Sequence, residues 1–161
     1  MADSKLTAGL EDYLEAIYIA TSENKLVKGV DIAKMLKISR ASVSEALAKL
    51  VSIGLITYES YGTISFTPTG FSEAKKVYNT HNTLKLFFQT VFNICPEEAS
   101  ENACKIEHII SDNILREIKD FTNYCNNHPE IIDEYRQGKN NEQNLSDREI
   151  PRPADFDSKS K

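Results

Sequence analysis

The sequence contains no hydrophobic run long enough to span a bilayer, which takes roughly 18 or more consecutive apolar residues in a helix. Residues 1–6 contain no apolar core of a secretion signal. Basic side chains number 19 against 24 acidic ones, which excludes a uniformly basic nucleic-acid coat but leaves room for a local basic patch. We therefore expect a cytoplasmic protein without a membrane partner.

Cysteines are few, and Cys95, Cys104 and Cys125 lack the paired spacing of a zinc finger. A disulfide scaffold is not expected in a reducing compartment, so each cysteine is a candidate for a structural thiol or a metal ligand. The chain also lacks a glycine-rich phosphate loop and a Gly-x-Ser-x-Gly turn. We therefore expect that the protein is not an enzyme.

The N-terminal part has the pattern of three helices followed by a β-hairpin. Apolar residues recur at intervals of three and four, which predicts helices over about 10–18, 30–36 and 39–53. Two short β-rich runs then flank a turn that contains Gly62, which predicts a hairpin over 55–59 and 63–67. This order is that of a winged helix-turn-helix.

Helical spacing returns after the hairpin and continues for most of the chain. It predicts helices over about 71–92, 97–110, 111–121 and 130–135. From Gln137 the chain is polar, and we expect it to be disordered. We therefore predict a mainly α protein, with a winged helix-turn-helix over 1–75, an all-helical domain over 76–136 and a disordered tail over 137–161.

The predicted third helix is a candidate for reading DNA, because a helix-turn-helix directs the start of this helix into the major groove. Hydroxyls and backbone amides at a helix start suit phosphate oxygens, and Arg40 suits a phosphate or a guanine edge. Serines at a helix start are also common caps, and some winged helices bind protein instead. The candidate DNA-binding residues are Lys28, Ser39, Arg40, Ala41, Ser42, Ser44, Glu45 and Lys49, with Tyr61 and Thr63 on the wing.

A second group of residues has the chemistry of a metal site. A cysteine, a glutamate and a histidine at positions i, i+3 and i+4 share one helix face, and a divalent metal is the usual reason for that combination. Two carboxylates on the first helix and a histidine on the long helix can complete the set. Taken singly, each also suits a structural role, as a buried thiol, a core histidine or a charge near a helix start. The candidate ligands are Asp12, Glu15, His81, Cys104, Glu107 and His108.

From about Leu6 to Phe121, the chain resembles the diphtheria toxin repressor and manganese transport regulator family. The matching segments are Leu-Glu-Asp-Tyr-Leu-Glu-Ala-Ile-Tyr at 10–18, Asp-Ile-Ala at 31–33, Ser-Val-Ser at 42–44, and Cys104-x-x-Glu107-His108 followed by Ser111-Asp112. The resemblance implies a homodimeric repressor of metal-uptake genes that binds a palindromic duplex operator when Fe(II) or Mn(II) is bound. Residues 76–136 would then be its metal-binding and dimerisation domain.

The resemblance also implies a hybrid metal site. Asp12 and Glu15 match ligands of the manganese branch, Cys104 matches the iron branch, and the other three candidates match both. Oxygen donors favour Mn(II) or Fe(II), whereas a thiolate favours Fe(II), Co(II) or Zn(II). The choice between Fe(II) and Mn(II) therefore stays open, and Co, Ni and Zn are expected to substitute in vitro.

Departures from the family pattern limit what carries over. Lys85 and Ser100 stand where the iron branch has the ligands of an ancillary metal site, so that site is not expected in the same form. Ala41 and Glu45 differ from the family pattern on the recognition helix, so the family's operator sequence is not expected to apply to this chain. We expect no SH3-like C-terminal domain. Two alternatives stay open: a metal-independent winged-helix regulator with a vestigial cluster, and a small metalloenzyme that uses the same ligands.

Overall fold

A computed structural model describes residues 6–22, 26–59 and 62–142, with side chains up to residue 138. The wing candidate Tyr61 and residues 143–161 of the predicted tail lie outside these described residues. Within them, no helix combines the length and the apolarity that a membrane span requires.

Three helices form the N-terminal part in the predicted order. The Ser39 hydroxyl oxygen accepts a hydrogen bond from the Ser42 amide at 3.1 Å, so Ser39 caps the third helix as predicted. Lys37 adopts a left-handed conformation with φ 55° in the tight turn before it, and Gly54, with φ 74°, follows its end. The helices are α1 (Ala8–Ser22), α2 (Gly29–Leu36) and α3 (Arg40–Ser52).

The predicted hairpin is a two-stranded antiparallel sheet. Strands β1 (Ile56–Tyr58) and β2 (Ile64–Phe66) pair with Ile56 opposite Phe66. The segment before α2 joins the sheet, because Lys28 forms an isolated bridge with Thr63 and the Ile64 amide donates to the Val27 carbonyl at 2.9 Å. Lys28 is therefore held beside the wing.

The core of the helix-turn-helix is aliphatic. Leu14, Ile17, Ile32 and Leu50 are fully buried in it, and each buried side chain of this size contributes about 1.5–3 kcal/mol to stability. Buried positions on α1 follow helical spacing, which is why the sequence pattern found this helix. Its other face is free to pack against a second layer.

Helix α4 (Pro68–Phe92) provides that second layer and carries the remaining helices. It packs against α1, α5 and α6. Because α4 passes without a break through residue 75, the predicted division between domains there falls inside a helix, and the division stays a prediction. The following helices are α5 (Pro96–Ile106), α6 (Asp112–Asn127) and α7 (Pro129–Glu142).

Three predicted helix ends differ from the structure. The helix expected over 97–110 ends at Ile106, since the chain turns before Ser111 caps α6. Helix α6 continues past 121 because Thr122 and Cys125 are buried. Helix α7 continues past the expected start of the tail at 137, and its Arg136 donates a hydrogen bond to the Thr90 carbonyl at 2.9 Å.

Candidate metal centre

The structure brings the six candidate ligands together where α1, α4 and the end of α5 meet. Their donor atoms form two groups, and within each group the atoms lie within 4.8 Å of one another. Glu107 belongs to both groups and therefore joins them. The first group is Asp12, Cys104, Glu107 and His108, and the second is Glu15, His81 and Glu107.

Cys104, Glu107 and His108 still share one face, although α5 ends at the residue before Glu107. Glu107 has φ −56° and ψ −30°, which is helical backbone, so it continues the helical path of Cys104 toward His108. The predicted i, i+3, i+4 arrangement is thus kept at the junction between a helix and a turn.

In the second group, His81 points one ring nitrogen at the carboxylates. His81 Nδ1 lies 2.7 Å from Glu107 Oε2 and 3.7 Å from Glu15 Oε1. His81 Nε2, on the opposite edge of the ring, lies 3.0 Å from the Ser100 hydroxyl. The Glu107 side chain is only 1% exposed, so this group is largely shielded from water.

In the first group, His108 has the reverse orientation. His108 Nε2 lies 3.1 Å from Asp12 Oδ1 and 3.5 Å from Glu107 Oε1, whereas Nδ1 lies 2.5 Å from Glu11 Oε2. The Cys104 sulfur lies 3.9 Å from Asp12 Oδ1. One thiol, two carboxylates and one imidazole nitrogen thus converge on one small volume.

Glu107 provides the observation that tests whether a cation fits. Its Oε1 atom is buried and has no hydrogen-bond partner among the described residues. A buried carboxylate oxygen without a hydrogen bond is unfavourable, and a divalent cation coordinated by it would remove that penalty. Nitrogen, oxygen and sulfur donors at this spacing fit a first-row divalent metal.

Both histidines bind protons more strongly than a free histidine does. The hydrogen bond that His81 donates to the Glu107 carboxylate raises the pKa of His81 above its ordinary value, against the opposing effect of burial. Burial lowers the pKa of His108, but the hydrogen bond with Glu11 and the charges of Glu107 and Asp12 outweigh it and raise the pKa. A cation that binds either ring would therefore compete with a proton more strongly than at a free histidine.

The side chains of Glu15 and Cys104 show the same tendency. Burial raises the pKa of Glu15, and the charges of Glu107 and Asp12 add to that effect while His81 opposes it. Burial, with the charge of Asp12, raises the pKa of the Cys104 thiol to about 11. These four side chains thus hold protons more strongly than free side chains do, and a cation that binds them would release protons.

We expect the metal-free protein to lose stability as the pH rises. Raised pKa values mean that the folded chain binds more protons than the unfolded chain, so the free energy of unfolding falls with pH. The two histidines contribute their full stabilisation of the fold below their unfolded pKa of 6.5. This stabilisation is lost as the pH rises through their higher pKa values in the folded state. Thermal unfolding in chelator from about pH 5 to about pH 9 measures this.

The control for that prediction is a variant with His81→Asn and His108→Asn, whose melting temperature should vary less with pH in the same interval. In excess metal, the dependence should reverse, because deprotonated ligands bind the cation more tightly. A melting temperature that rises with pH in chelator would contradict the expected direction.

The candidate DNA-binding residues that the structure describes are exposed or partly exposed. On α3, Val43, Ala46, Leu47 and Leu50 are buried, which leaves the opposite face in solvent. Thr63 is partly exposed next to exposed Lys28. We call the exposed face of α3 with its cap the recognition surface, and it consists of Ser39, Arg40, Ala41, Ser42, Ser44, Glu45 and Lys49.

Two further residues of the centre are not among the ligands predicted from the sequence. Glu11 contacts Nδ1 of His108, and Ser100 contacts Nε2 of His81. Each of these nitrogens is the one that does not face the donor groups. The only sequence signal was the tendency of a metal-bound histidine to use its second nitrogen in a hydrogen bond. That tendency does not name the partner, which here depends on how distant helices pack.

Two family models match the chain. "Iron dependent repressor, N-terminal DNA binding domain" covers residues 5–64, and "Iron dependent repressor, metal binding and dimerisation domain" covers residues 67–135. The chain belongs to the iron-dependent repressor family. This confirms the resemblance to the diphtheria toxin repressor and manganese transport regulator family, and with it the predicted fold class. The protein is a metal-dependent transcriptional repressor, and its family is one of transcriptional regulators, not enzymes.

Curated relatives of this iron-dependent repressor match over nearly their whole length. An HTH-type transcriptional regulator of Methanocaldococcus jannaschii is 39% identical over 117 residues, which is 72% of this chain and 94% of the relative. The regulator MntR of Lysinibacillus sphaericus is 27% identical over 133 residues, or 83% of this chain and 95% of MntR.

Solved structures show the same fold. The manganese regulator SloR superposes with a TM-score of 0.66 at 28% identity, covering 74% of this chain and 55% of SloR. IdeR of T. acidophilum superposes with a TM-score of 0.63 at 26% identity, covering 68% of this chain and 52% of IdeR. The chain therefore spans about half the length of these two structures.

Proposed function

We propose that this repressor is a cytoplasmic homodimer that Fe(II) or Mn(II) activates to bind a palindromic operator at metal-homeostasis genes. The observation that carries the proposal is the pair of donor groups that share Glu107. Asp12 and Glu15 belong to α1, which is part of the DNA-reading unit, whereas Cys104 lies in the last turn of α5 and Glu107 and His108 follow its end. The six ligands therefore connect the two halves of the chain.

This connection suggests how a bound metal affects DNA binding. A bound divalent cation supplies positive charge that offsets the repulsion among Asp12, Glu15 and Glu107. Once their carboxylates converge, α1 is held at a fixed angle to α5, and so is the recognition surface. In a dimer that angle sets the distance between two recognition helices, which must fit half-sites about 34 Å apart. A metal can shift the population toward the DNA-competent conformation only as far as it binds that conformation more tightly than the DNA-incompetent ones.

The homodimer is supported by an aromatic face on α4 and α6 that stays partly exposed among the described residues. Phe87 contacts Phe92 and Phe121, with ring centroids 5.1 and 6.5 Å away, and the last two rings are 40% and 47% exposed. Such a patch is typical of an interface between copies. The matched family domain is also described as a dimerisation domain.

The donor chemistry leaves two metals in the proposal. The carboxylates and the name of the MntR relative favour Mn(II), whereas Cys104 favours Fe(II). Co(II), Ni(II) and Zn(II) also suit this donor set and are proposed as substitutes in vitro.

The function is tested by selecting sequences from a random duplex pool with the purified chain. Parallel arms contain chelator, Mn(II), anaerobic Fe(II) or Zn(II). We expect a palindrome to be enriched in the Mn(II) or Fe(II) arm and not with chelator, because a bound cation would offset the repulsion among the carboxylates that hold α1 to the end of α5. Arg40→Ala should abolish that enrichment, since Arg40 lies on the recognition surface, whereas Lys119→Ala on the exposed side of α6 should not.

The other outcomes separate the alternatives. Equal enrichment in every arm would leave a DNA-binding protein with a vestigial metal cluster. No enrichment in any arm would overturn the proposed operator binding.

A further inference from the structure

Each histidine of the metal centre has one inner and one outer ring nitrogen. The inner nitrogen of His108 is Nε2, which faces Asp12 and Glu107, and its outer nitrogen Nδ1 faces Glu11. The assignment is opposite for His81, whose inner nitrogen is Nδ1 and whose outer nitrogen Nε2 faces Ser100. The two rings thus enter the centre through different atoms.

A neutral imidazole can bind a metal through one nitrogen only if the proton sits on the other. The residue that accepts a hydrogen bond from this second nitrogen therefore decides which nitrogen is free. Glu11 and Ser100 occupy these outer positions, and neither belongs to a donor group. Glu11 is 17% exposed and His108 13% exposed, so water competes little for this contact.

We propose that Glu11 and Ser100 are positioning residues that fix opposite tautomers of the two metal-binding histidines. His108 holds its proton on Nδ1, donates it to Glu11 and presents Nε2 to the cation. His81 holds its proton on Nε2, donates it to Ser100 and presents Nδ1. The inference rests on the proposed metal-sensing function and extends it to two residues outside the donor set.

The two positioning residues differ in strength. A carboxylate accepts a stronger hydrogen bond than a hydroxyl, because its charge adds to the interaction. Glu11 also adjoins Asp12 on α1 while His108 follows α5, so this contact ties the two halves at the edge of the centre. We therefore expect Glu11 to affect metal affinity more than Ser100 does.

The tautomers are measured on the unmodified full chain. With histidine labelled by 15N and with 113Cd(II) bound, scalar coupling between cadmium and nitrogen identifies the bound atom of each ring. We expect coupling to Nε2 of His108 and to Nδ1 of His81. Coupling to Nδ1 of His108 or to Nε2 of His81 would overturn the assignment.

Variants test the positioning role independently. Glu11→Leu and Ser100→Ala remove the acceptors and should weaken Mn(II) and Cd(II) binding by about 10- to 100-fold, with Ser100→Ala near the lower figure. Glu11→Gln and Ser100→Thr keep an acceptor oxygen and should restore most of the affinity. Exposed Glu101→Leu on α5 and Ser72→Ala on α4 are the matched controls.

The outcomes distinguish a failure of this inference from a failure of the proposed metal-sensing function on which it rests. If the unmodified chain binds metal but Glu11→Leu and Ser100→Ala bind it as the controls do, the positioning role is overturned and metal sensing stands. If the unmodified chain binds no metal, both are overturned. Circular dichroism melts show whether each variant is folded, and the cadmium measurement requires no variant.

Discussion

Glu107→Gln should abolish the metal response while leaving the fold intact. Glu107 is the only described residue that belongs to both donor groups, so losing its charge weakens both at once. We expect metal affinity to fall by at least about 100-fold, or roughly 2.7 kcal/mol. Glutamine has nearly the same volume and keeps one side-chain oxygen, which limits the disturbance at this buried position.

Calorimetric titration with Mn(II) measures the affinity, and fluorescence anisotropy with the selected duplex measures metal-dependent DNA binding. The rise in melting temperature on adding metal should also vanish, because binding to the folded state alone is what stabilises it. Glu98→Gln, exposed in the first turn of α5, is the matched control. A Glu107→Gln protein that still binds DNA in a metal-dependent way would refute the shared role of this carboxylate.

Gly70→Ala should destabilise the whole protein severely. Gly70 is buried in the first turn of α4, where the chain leaves the wing. An added Cβ would lie 1.7 Å from the Leu55 carbonyl oxygen and 2.6 Å from its carbonyl carbon. Both are backbone atoms, so a side-chain movement cannot relieve the clash.

The junction around Gly70 is also tied by hydrogen bonds that resist displacement. Thr67 accepts from the Gly70 amide at 3.0 Å and donates to the Gly54 carbonyl at 2.8 Å. We expect unfolding free energy to fall by at least about 4 kcal/mol, which is a large part of the roughly 5–15 kcal/mol typical of a domain.

Urea unfolding measures this loss. In the control, Gly138→Ala, the added Cβ meets nothing within 4 Å and lies inside α7, so it should be neutral or stabilise by up to about 1 kcal/mol. If the unfolding free energy of Gly70→Ala lies within about 1 kcal/mol of that of the unmodified chain, the close approach of α4 to Leu55 does not constrain the fold.

The sequence alone determined the local features of this repressor. Helical spacing located the helices, Ser39 marked the start of α3, and Gly62 marked the hairpin turn, because each of these depends on residues a few positions apart. The spacing of Cys104, Glu107 and His108 likewise fixed which side chains share a face. The sequence could therefore name the candidate ligands of the metal centre before their packing was known.

The tertiary structure decided which of these faces meet. Glu11 and His108 are 97 positions apart, and their contact exists only because α4 carries both α1 and α5. A periodic pattern shows that a face is buried or polar, but it does not show which distant helix covers that face. The joining of two donor groups through Glu107, the outer partners of the histidines and the close approach at Gly70 were all fixed by this long-range packing. The ends of α6 and α7 also depended on it, since contacts with α4 extend both helices beyond their local signals.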